Sequence, residues 1–245
     1  MQIIKLSATE STNTYLKELW KRGKLHDYTV VVTKDQTKGK GQMGAVWQSE
    51  AGKNLTFSVL KIMDGFDLKD KFLLNMYTSM AVFDTLYAIG VPRLAIKWPN
   101  DILSGSSKLC GILIENIVAG TKIKAAIIGI GLNVNQTDFS GSLKASSVKG
   151  VTNVHFDLDD LLGQILENLQ KYLINTDKNL SNPGDLYEDY HSRLFRLGVA
   201  STFQKQNGTV FTGIIEGVSL QGKLLVRLED EHIHKFDLKE VRLLY

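Results

Sequence analysis

Three short apolar runs between residues 94 and 130 constrain the fold more than any other feature of this sequence. Residues 94–98, 109–116 and 124–130 have the length of strands, not of helices. The intervening pieces, 100–107 and 118–121, are rich in turn residues and too short to carry a crossover helix. Such runs can pair only through hairpins, so the middle of the chain reads as an antiparallel meander and not as a series of β-α-β units. Two further strands are expected at 28–33 and 54–62, separated by a polar, glycine-studded loop at 34–45.

Helices surround these strands. One is expected over 13–22, with Ser11 and Thr12 able to cap it and Gly23 able to end it. A long helix is expected over 67–89, where Leu73, Met76, Tyr77, Met80, Leu86 and Tyr87 roughly follow helical spacing. An amphipathic helix should cover 157–174 and another 185–196, ending at Gly198. Beyond that glycine the character changes. Short alternating strands are separated by Gln206-Asn207-Gly208, Gln221-Gly222 and Glu229-Asp230-Glu231, and Asn-Gly is a strong hairpin signal. The expected organisation is a main domain over 1–198 and a small β-barrel over 199–245.

The bulk numbers exclude several classes. Of 245 residues, 43% are hydrophobic and 22% charged, ordinary for a soluble protein with a sizeable core. A net charge of +3, from 29 basic and 26 acidic residues, is too even to announce a nucleic-acid binder. The one cysteine, Cys110, cannot form an intramolecular disulfide, which suits a reducing compartment. The N-terminal segment lacks the pattern of a signal peptide, and the longest apolar runs, such as 125–130, cannot span a bilayer. A cytoplasmic protein without membrane or nucleic-acid partners is expected.

Three clusters carry chemistry. Gly39-Lys40-Gly41-Gln42-Met43-Gly44 satisfies G-x-G-x-x-G. No helix opens on it, so the dinucleotide reading fails; the kinase triplets and the P-loop sequence are absent as well. Backbone N–H groups in such a loop, with Lys34, Lys38 and Lys40 nearby, suit an anion, and Trp47 offers a flat face to an aromatic base. By itself the loop is equally compatible with a surface loop, and Trp47 with a core residue. Lys97-Trp98-Pro99-Asn100-Asp101 must turn at Pro99, which presents Asn100 and Asp101 at a strand end. Six residues on, Lys108-Leu109-Cys110-Gly111 opens a strand in which strict alternation puts Lys108 and Cys110 on one face. A lysine there can neutralise a carboxylate and a phosphate together. Finally, Gly129-Ile130-Gly131-Leu132-Asn133 ends an apolar strand with backbone exposed at alternate positions. For Asn100-Asp101, Lys108 and Asn133 taken singly, an Asx turn, a solvated strand-start lysine and a bulge with a turn are the plain alternatives.

Taken in order, these clusters resemble the biotin–protein ligase family, from Ser11 to the C-terminal strands. The pairing of Lys-Trp-Pro-Asn-Asp with Lys-Leu-x-Gly-Ile-Leu-x-Glu is the most specific part. The resemblance implies an α+β fold of the class II synthetase and biotin ligase type. That fold is a mixed, largely antiparallel sheet flanked by helices, with a small SH3-like β-barrel. It implies that ATP activates biotin as biotinyl-AMP, with pyrophosphate released, and that biotin then passes to a lysine of a biotin carboxyl carrier protein or domain. Ser11, Thr12, Asn13 and Gln36 would bind the biotin rings, and Gly39, Lys40, Gly41 and Gln42 would close over biotin and the adenylate. Gly111 and Gly129 would let biotin lie against the backbone, and Trp47 would stack on adenine. Lys108 would hold the biotin carboxylate and the α-phosphate, with Asp101 the other catalytic candidate. Lys40, Lys97, Asn100, Asp101, Lys108 and Asn133 would serve ATP, with Asp101 and Asn133 offered to Mg²⁺. Lys40 and Gln42 stand where many members carry arginine, and lysine lacks the planar fork. Members with an N-terminal helix-turn-helix act as repressors; no such segment is seen here, so no DNA partner is expected, while a homodimer is compatible. Rival readings are a lipoate ligase or octanoyltransferase with Cys110 as nucleophile, a non-catalytic sensor, and a metal site at His232 and His234.

Overall fold

The computed structural model describes residues 1–23, 25–139, 144–177 and 184–245. The chain opens with β1 (Gln2–Thr9), α1 (Thr12–Arg22), β2 (Thr29–Gln36), a small hairpin of β3 (Gly39–Lys40) and β4 (Val46–Trp47), and β5 (Leu55–Asp67). The long helix α2 (Lys71–Ala88) follows, then β6 (Leu94–Lys97), β7 (Asp101–Ser104), β8 (Ser107–Ala119) and β9 (Lys122–Leu132). Helices α3 (Val148–Thr152), α4 (Leu158–Leu173) and α5 (Gly184–Ser192) lead to β10 (Ala200–Lys205), β11 (Val210–Val218), β12 (Leu224–Arg227), β13 (Ile233–Phe236) and β14 (Val241–Leu244).

Seven strands form one sheet in the order β1-β2-β5-β9-β8-β7-β6. Every pairing in it is antiparallel except β1 with β2, which run parallel with α1 as their crossover. The sheet is therefore mixed and largely antiparallel, as expected, but it contains one β-α-β unit that the hairpin reading did not foresee. β1 is an edge strand with mostly exposed side chains and gives no hydrophobic alternation to read. The segment 100–107 is not simply a turn: Ile102 and Leu103 are fully buried within β7, hidden among Asn, Asp, Ser and Gly. β2 and β5 run on to Gln36 and Asp67, and α5 ends at Ser192, short of the expected 196.

Side-chain alternation divides the sheet into two faces. Ala126, Ile128, Ile130 and Leu132 of β9 join Phe57 and Val59 of β5 and Cys110 and Ile112 of β8 in the main core. That core is covered by α2 and α4, through Met76, Met80 and Leu86 on one and Leu162, Ile165 and Leu169 on the other. On the opposite face Ala125 and Ile127 of β9, Leu60 of β5 and Val31 of β2 pack under Leu16 of α1. The capped start of α1 sits at this face: Ser11 (φ −158°) accepts the Thr14 N–H at 3.4 Å, and Gly23 (φ +79°) ends the helix.

The C-terminal strands make a separate five-stranded antiparallel sheet, in the order β13-β12-β11-β10-β14. Gly208 (φ +86°), Gly222 (φ +88°) and Glu231 (φ +61°) take left-handed conformations in its turns. This sheet docks on the main domain through polar contacts at apolar edges. Trp98 Nε1 donates to the Gly222 carbonyl at 2.9 Å, and Tyr187 donates its hydroxyl to the Val218 carbonyl. The His191 ring lies against Gly217 (φ +145°), where a Cβ would come within 2.5 Å of it, and its Nε2 accepts the Val218 N–H at 2.9 Å. Among the described residues no helix is long and apolar enough to cross a membrane.

Burial holds the His191 imidazole below its ordinary value of 6.5, against a smaller upward pull from the Val218 backbone. The folded state thus prefers neutral His191. Its contribution is complete above the unfolded value and is lost as pH falls through that value towards the folded one. The thermal midpoint should fall between about pH 7.5 and about pH 5.5, and His191→Gln should remove part of that slope. Equal slopes in scanning calorimetry would contradict this role.

Candidate active site

On the α1 face, the helix covers only part of the sheet. Where β5, β8 and β9 extend beyond it, their inward positions are Thr56 and Ser58, Gly111 and Leu113, and Gly129 and Gly131. These small residues leave a cavity of about 440 Å³. It brings together Ser11, Thr12, Asn13, Gln36, Lys40, Gly41, Gln42, Trp47, Lys97, Asn100, Asp101, Lys108, Gly111 and Gly129 from segments spread over the main domain. Met43 and Val46 at the hairpin tip, Thr56, Phe57 and Leu113 from the sheet, and Leu238 and Arg242 from the C-terminal sheet also line it. Met43 and Leu113 fall inside motifs read from the sequence, but Thr56, Phe57, Leu238 and Arg242 gave no signal there. Met43, Lys97, Pro99, Leu238 and Arg242 also border a second cavity of about 460 Å³ between the two sheets.

One end of the cleft is a buried polar network. Ser11, Thr12 and Asn13 are each 3% exposed. Gln36 Oε1 accepts the Thr12 N–H at 2.9 Å, Ser58 Oγ lies 2.6 Å from Asn13 Oδ1, and Asn13 Nδ2 donates to Glu115 at 3.0 Å. Two glycines of the motifs make room for these side chains. A Cβ on Gly129 would lie 2.3 Å from Asn13 Oδ1, and one on Gly39 would lie 2.2 Å from the Trp47 carbonyl and 2.8 Å from Gln36 Nε2. Gly39 itself does not line the cavity; it pairs with Trp47 in the β3–β4 hairpin. Gly41 closes that hairpin by donating to the Ala45 carbonyl at 2.7 Å, and Lys40 reaches Thr14 Oγ1 at 2.9 Å.

The other end is charged. Asp101 Oδ1 lies 2.6 Å from Lys108 Nζ, and Asp101 Oδ2 lies 3.7 Å from Lys97 Nζ. Burial lowers the Lys97 pKa, Asp101 offsets part of this, and the nearby Lys108 adds a further downward pull. Lys108 Nζ is 5.6 Å from the centre of the Trp47 ring and would be 3.2 Å from a Cβ on Gly111. The Trp47 indole lies along Gly131, where a Cβ would approach Cε2 to 2.4 Å, and its Nε1 is buried without a partner among the described residues. The Asn100 amide is committed elsewhere: Nδ2 donates to the Ile112 carbonyl at 2.7 Å and so clamps the turn before β7 onto β8. Asn133 stands outside the cavity lining. Its Nδ2 donates to the Ser146 carbonyl at 3.0 Å, the Ser146 N–H returns to the Lys108 carbonyl at 3.0 Å, and its Oδ1 is buried with no partner among the described residues.

Lys108 and Cys110 do not share a face. Cys110 pairs with Ile102, but Lys108 pairs with Leu103, so Leu109 is an extra residue in β8. The bulge turns Lys108 into the cleft beside Gly111 while Cys110 stays in the core. Among the described residues no group of three or more acidic, His or Cys side chains could hold a metal, and His232 and His234 have only Asp230 beside them. Asp101, with both oxygens turned to lysines, is the acidic side chain in the cavity lining and Asn133 lies outside it, so these residues could hold Mg²⁺ only together with substrate oxygens, the way Mg²⁺ is commonly bound.

With this geometry, known proteins can be compared. The model of the biotin/lipoate A/B protein ligase family matches residues 6–133, just over half of the chain. The chain belongs to this family. It is similar to the bifunctional ligase/repressor BirA of Bacillus spizizenii, 32% identical over 209 residues that cover 82% of this chain and 62% of that protein. The chain thus spans less than two thirds of that relative. It is 29% identical to the biotin–[acetyl-CoA-carboxylase] ligase of Paracoccus denitrificans, covering 91% of this chain and 92% of the relative. Among solved structures, the biotin protein ligase from Aquifex aeolicus in complex with biotin and ATP superposes with a TM-score of 0.80 at 25% identity, over 99% of this chain and 98% of that one.

The family name covers lipoate as well as biotin, and Cys110 bears on which ligand chemistry applies. The thiol is fully buried, and that burial pushes its pKa far up, with Asp101 adding to the rise and Lys108 opposing it. A thiol so placed cannot serve as an acyl carrier. Cys110 is expected to resist iodoacetamide in the native chain and to react only on unfolding, as read by intact-protein mass spectrometry; rapid native alkylation would reverse this conclusion.

Proposed function

We propose that the chain is an ATP-dependent biotin–protein ligase. It would convert biotin and ATP to biotinyl-5′-AMP and pyrophosphate, then transfer biotin to a lysine of a biotin carboxyl carrier protein or domain, such as that of an acetyl-CoA carboxylase. The observation that carries this reading is the position of Lys108. Its amine stands beside Asp101 and over Gly111, near the Trp47 ring, in a cleft whose other end is a fully wired polar network.

Biotin's carboxylate is a poor acyl donor, and its oxygen must approach a phosphorus that already carries negative charge. Lys108 and Lys97 place two cations where that charge meets, and partial burial strengthens their effect. The carboxylate oxygen forms a bond to the α-phosphorus as the bond to pyrophosphate breaks. In the second step the neutral acceptor amine attacks the acyl carbon, AMP departs, and the proton is left to a nearby base. Asp101 is the carboxylate nearest the reacting groups, and its ion pairs orient it for that task. Magnesium, when bound with ATP, would screen the phosphates, with Asp101 and Asn133 the oxygens this chain offers. Ser11, Thr12, Asn13 and Gln36 would read the biotin rings, Trp47 would stack on adenine, and the hairpin with Lys40, Gly41 and Gln42 would cover the adenylate against hydrolysis.

We read residues 1–198 as the catalytic domain and 199–245 as an SH3-like unit; the start of the second sheet at Ala200 supports that boundary. Leu238 and Arg242 from that unit reach the cleft, so it would brace the phosphate end of the site. A cytoplasmic location, and pairing of two chains through the exposed edge strand β1, fit the same reading.

Lys108→Ala should lower biotin-dependent ATP–pyrophosphate exchange by at least ~100-fold in a folded protein, the usual effect of removing a preorganised charge. Exchange within a few-fold of wild type would remove Lys108 from the chemistry. Trp47→Ala should raise the KM for ATP more than that for biotin; the reverse order would argue against stacking on adenine.

A further inference from the structure

Five side chains form one unbroken hydrogen-bonded row beneath the cleft; Glu115 closes the Lys-Leu-x-Gly-Ile-Leu-x-Glu motif without a role assigned to it, and Ser58 lies outside every motif. The row begins at Glu115 on β8, whose Oε2 accepts from Asn13 Nδ2 at 3.0 Å. The same Nδ2 lies 3.3 Å from the Leu113 carbonyl, another acceptor. Asn13 Oδ1 is 2.6 Å from Ser58 Oγ, which is itself 2.7 Å from Thr12 Oγ1. Thr12 then meets Gln36 Oε1 through its N–H at 2.9 Å, its hydroxyl proton being directed to Ser58 Oγ. Ser58 is fully buried, and Thr12 and Asn13 are nearly so.

The protons in this row can be assigned. A carboxylate and a carbonyl at one end can only accept, so Asn13 must turn its NH₂ to them and its oxygen to Ser58. Ser58 then spends its single proton on Asn13 Oδ1. Gln36 Oε1 accepts from the Thr12 backbone, so the Gln36 NH₂ is the end left towards Gly39 and the cavity that Gln36 lines. Two carboxamides that could each be flipped are thereby held in one orientation, and the donors and acceptors shown to a ligand are fixed before it arrives. Gly129 and Gly39 supply the space for those same two carboxamides.

We propose that Glu115 and Ser58 are positioning residues that set the hydrogen-bonding polarity of the ring-recognition end, and so select a cyclic urea over the dithiolane of lipoate. This rests on the ligase reading above. A urea ring offers both a carbonyl and N–H groups to the oriented groups that the row turns to the cavity, such as the Gln36 NH₂, whereas a dithiolane gives those groups no partner, and that asymmetry discriminates strongly.

The test uses ATP–pyrophosphate exchange with the whole chain. Glu115→Gln gives Asn13 a partner that can donate as well as accept, so its amide is held only by the longer contact to the Leu113 carbonyl. The KM for biotin should rise about tenfold while the KM for ATP and the thermal midpoint stay near wild type, as expected for lost ground-state recognition. The preference for biotin over lipoate should narrow in the same variant. An unchanged biotin KM in Glu115→Gln would overturn the proposal, as would equal rises for biotin and ATP. A wild-type chain with no biotin-dependent exchange would instead overturn the ligase reading itself.

Discussion

The site exists because one face of a β-strand carries two kinds of residue along its length. On β9, Ala125 and Ile127 face α1, and the next two positions on that face are Gly129 and Gly131. The opposite face of the same strand stays apolar throughout, with Ile128, Ile130 and Leu132 in the main core. The strand is thus anchored from behind at full depth while its front changes from packed to hollow. β8 repeats the arrangement with Gly111 in front and Cys110 and Ile112 behind it. A cleft cut this way is rigid, because its floor is sheet backbone whose reverse side is buried under α2 and α4.

Two different electrostatic solutions occupy the ends of that floor. The polar end balances Glu115 against Lys17, and it works through hydrogen bonds whose directions are fixed by neighbours. The charged end has two lysines sharing one aspartate, which leaves a net positive charge in a half-buried place. Without Asp101 two like charges would face each other with little water to screen them; with it, both are held in range of an incoming anion. Trp47 lies between the ends and touches both Gly131 and the space beside Lys108.

Much of this was legible in the sequence because glycines and charges in short motifs are local signals. Lys97, Asp101, Lys108, Trp47 and the Ser11-Thr12-Asn13 cap could be read that way, and the structure gathers them in one cavity. What was not legible depends on partners far along the chain. Ser58 looks like an ordinary strand serine until Thr12 and Asn13 are placed above it, and Leu238 and Arg242 arrive from a different sheet. Asn133 sits in a motif but spends its amide on Ser146 behind the cleft, and Asn100 spends its own on Ile112. The edge strand β1 escaped because exposed strands carry no hydrophobic pattern, and β7 because turn-forming residues enclose its two buried apolar ones.

The extra residue at Leu109 has a consequence for how this part of the chain can change. Strand positions repeat every two residues, so the direction of Lys108 depends on the number of residues between it and Gly111 as much as on their identity. Conservative exchange at Leu109 would leave the amine aimed at its target. Straightening the strand with Leu109 retained would restore strict alternation, put Lys108 on the face of Cys110 and swing the amine to the rear of the sheet, among Phe57, Ile112 and Ile130. The bulge, and not the residue count alone, therefore aims the amine, and a replacement that irons it out would cost the site its cation without touching Lys108.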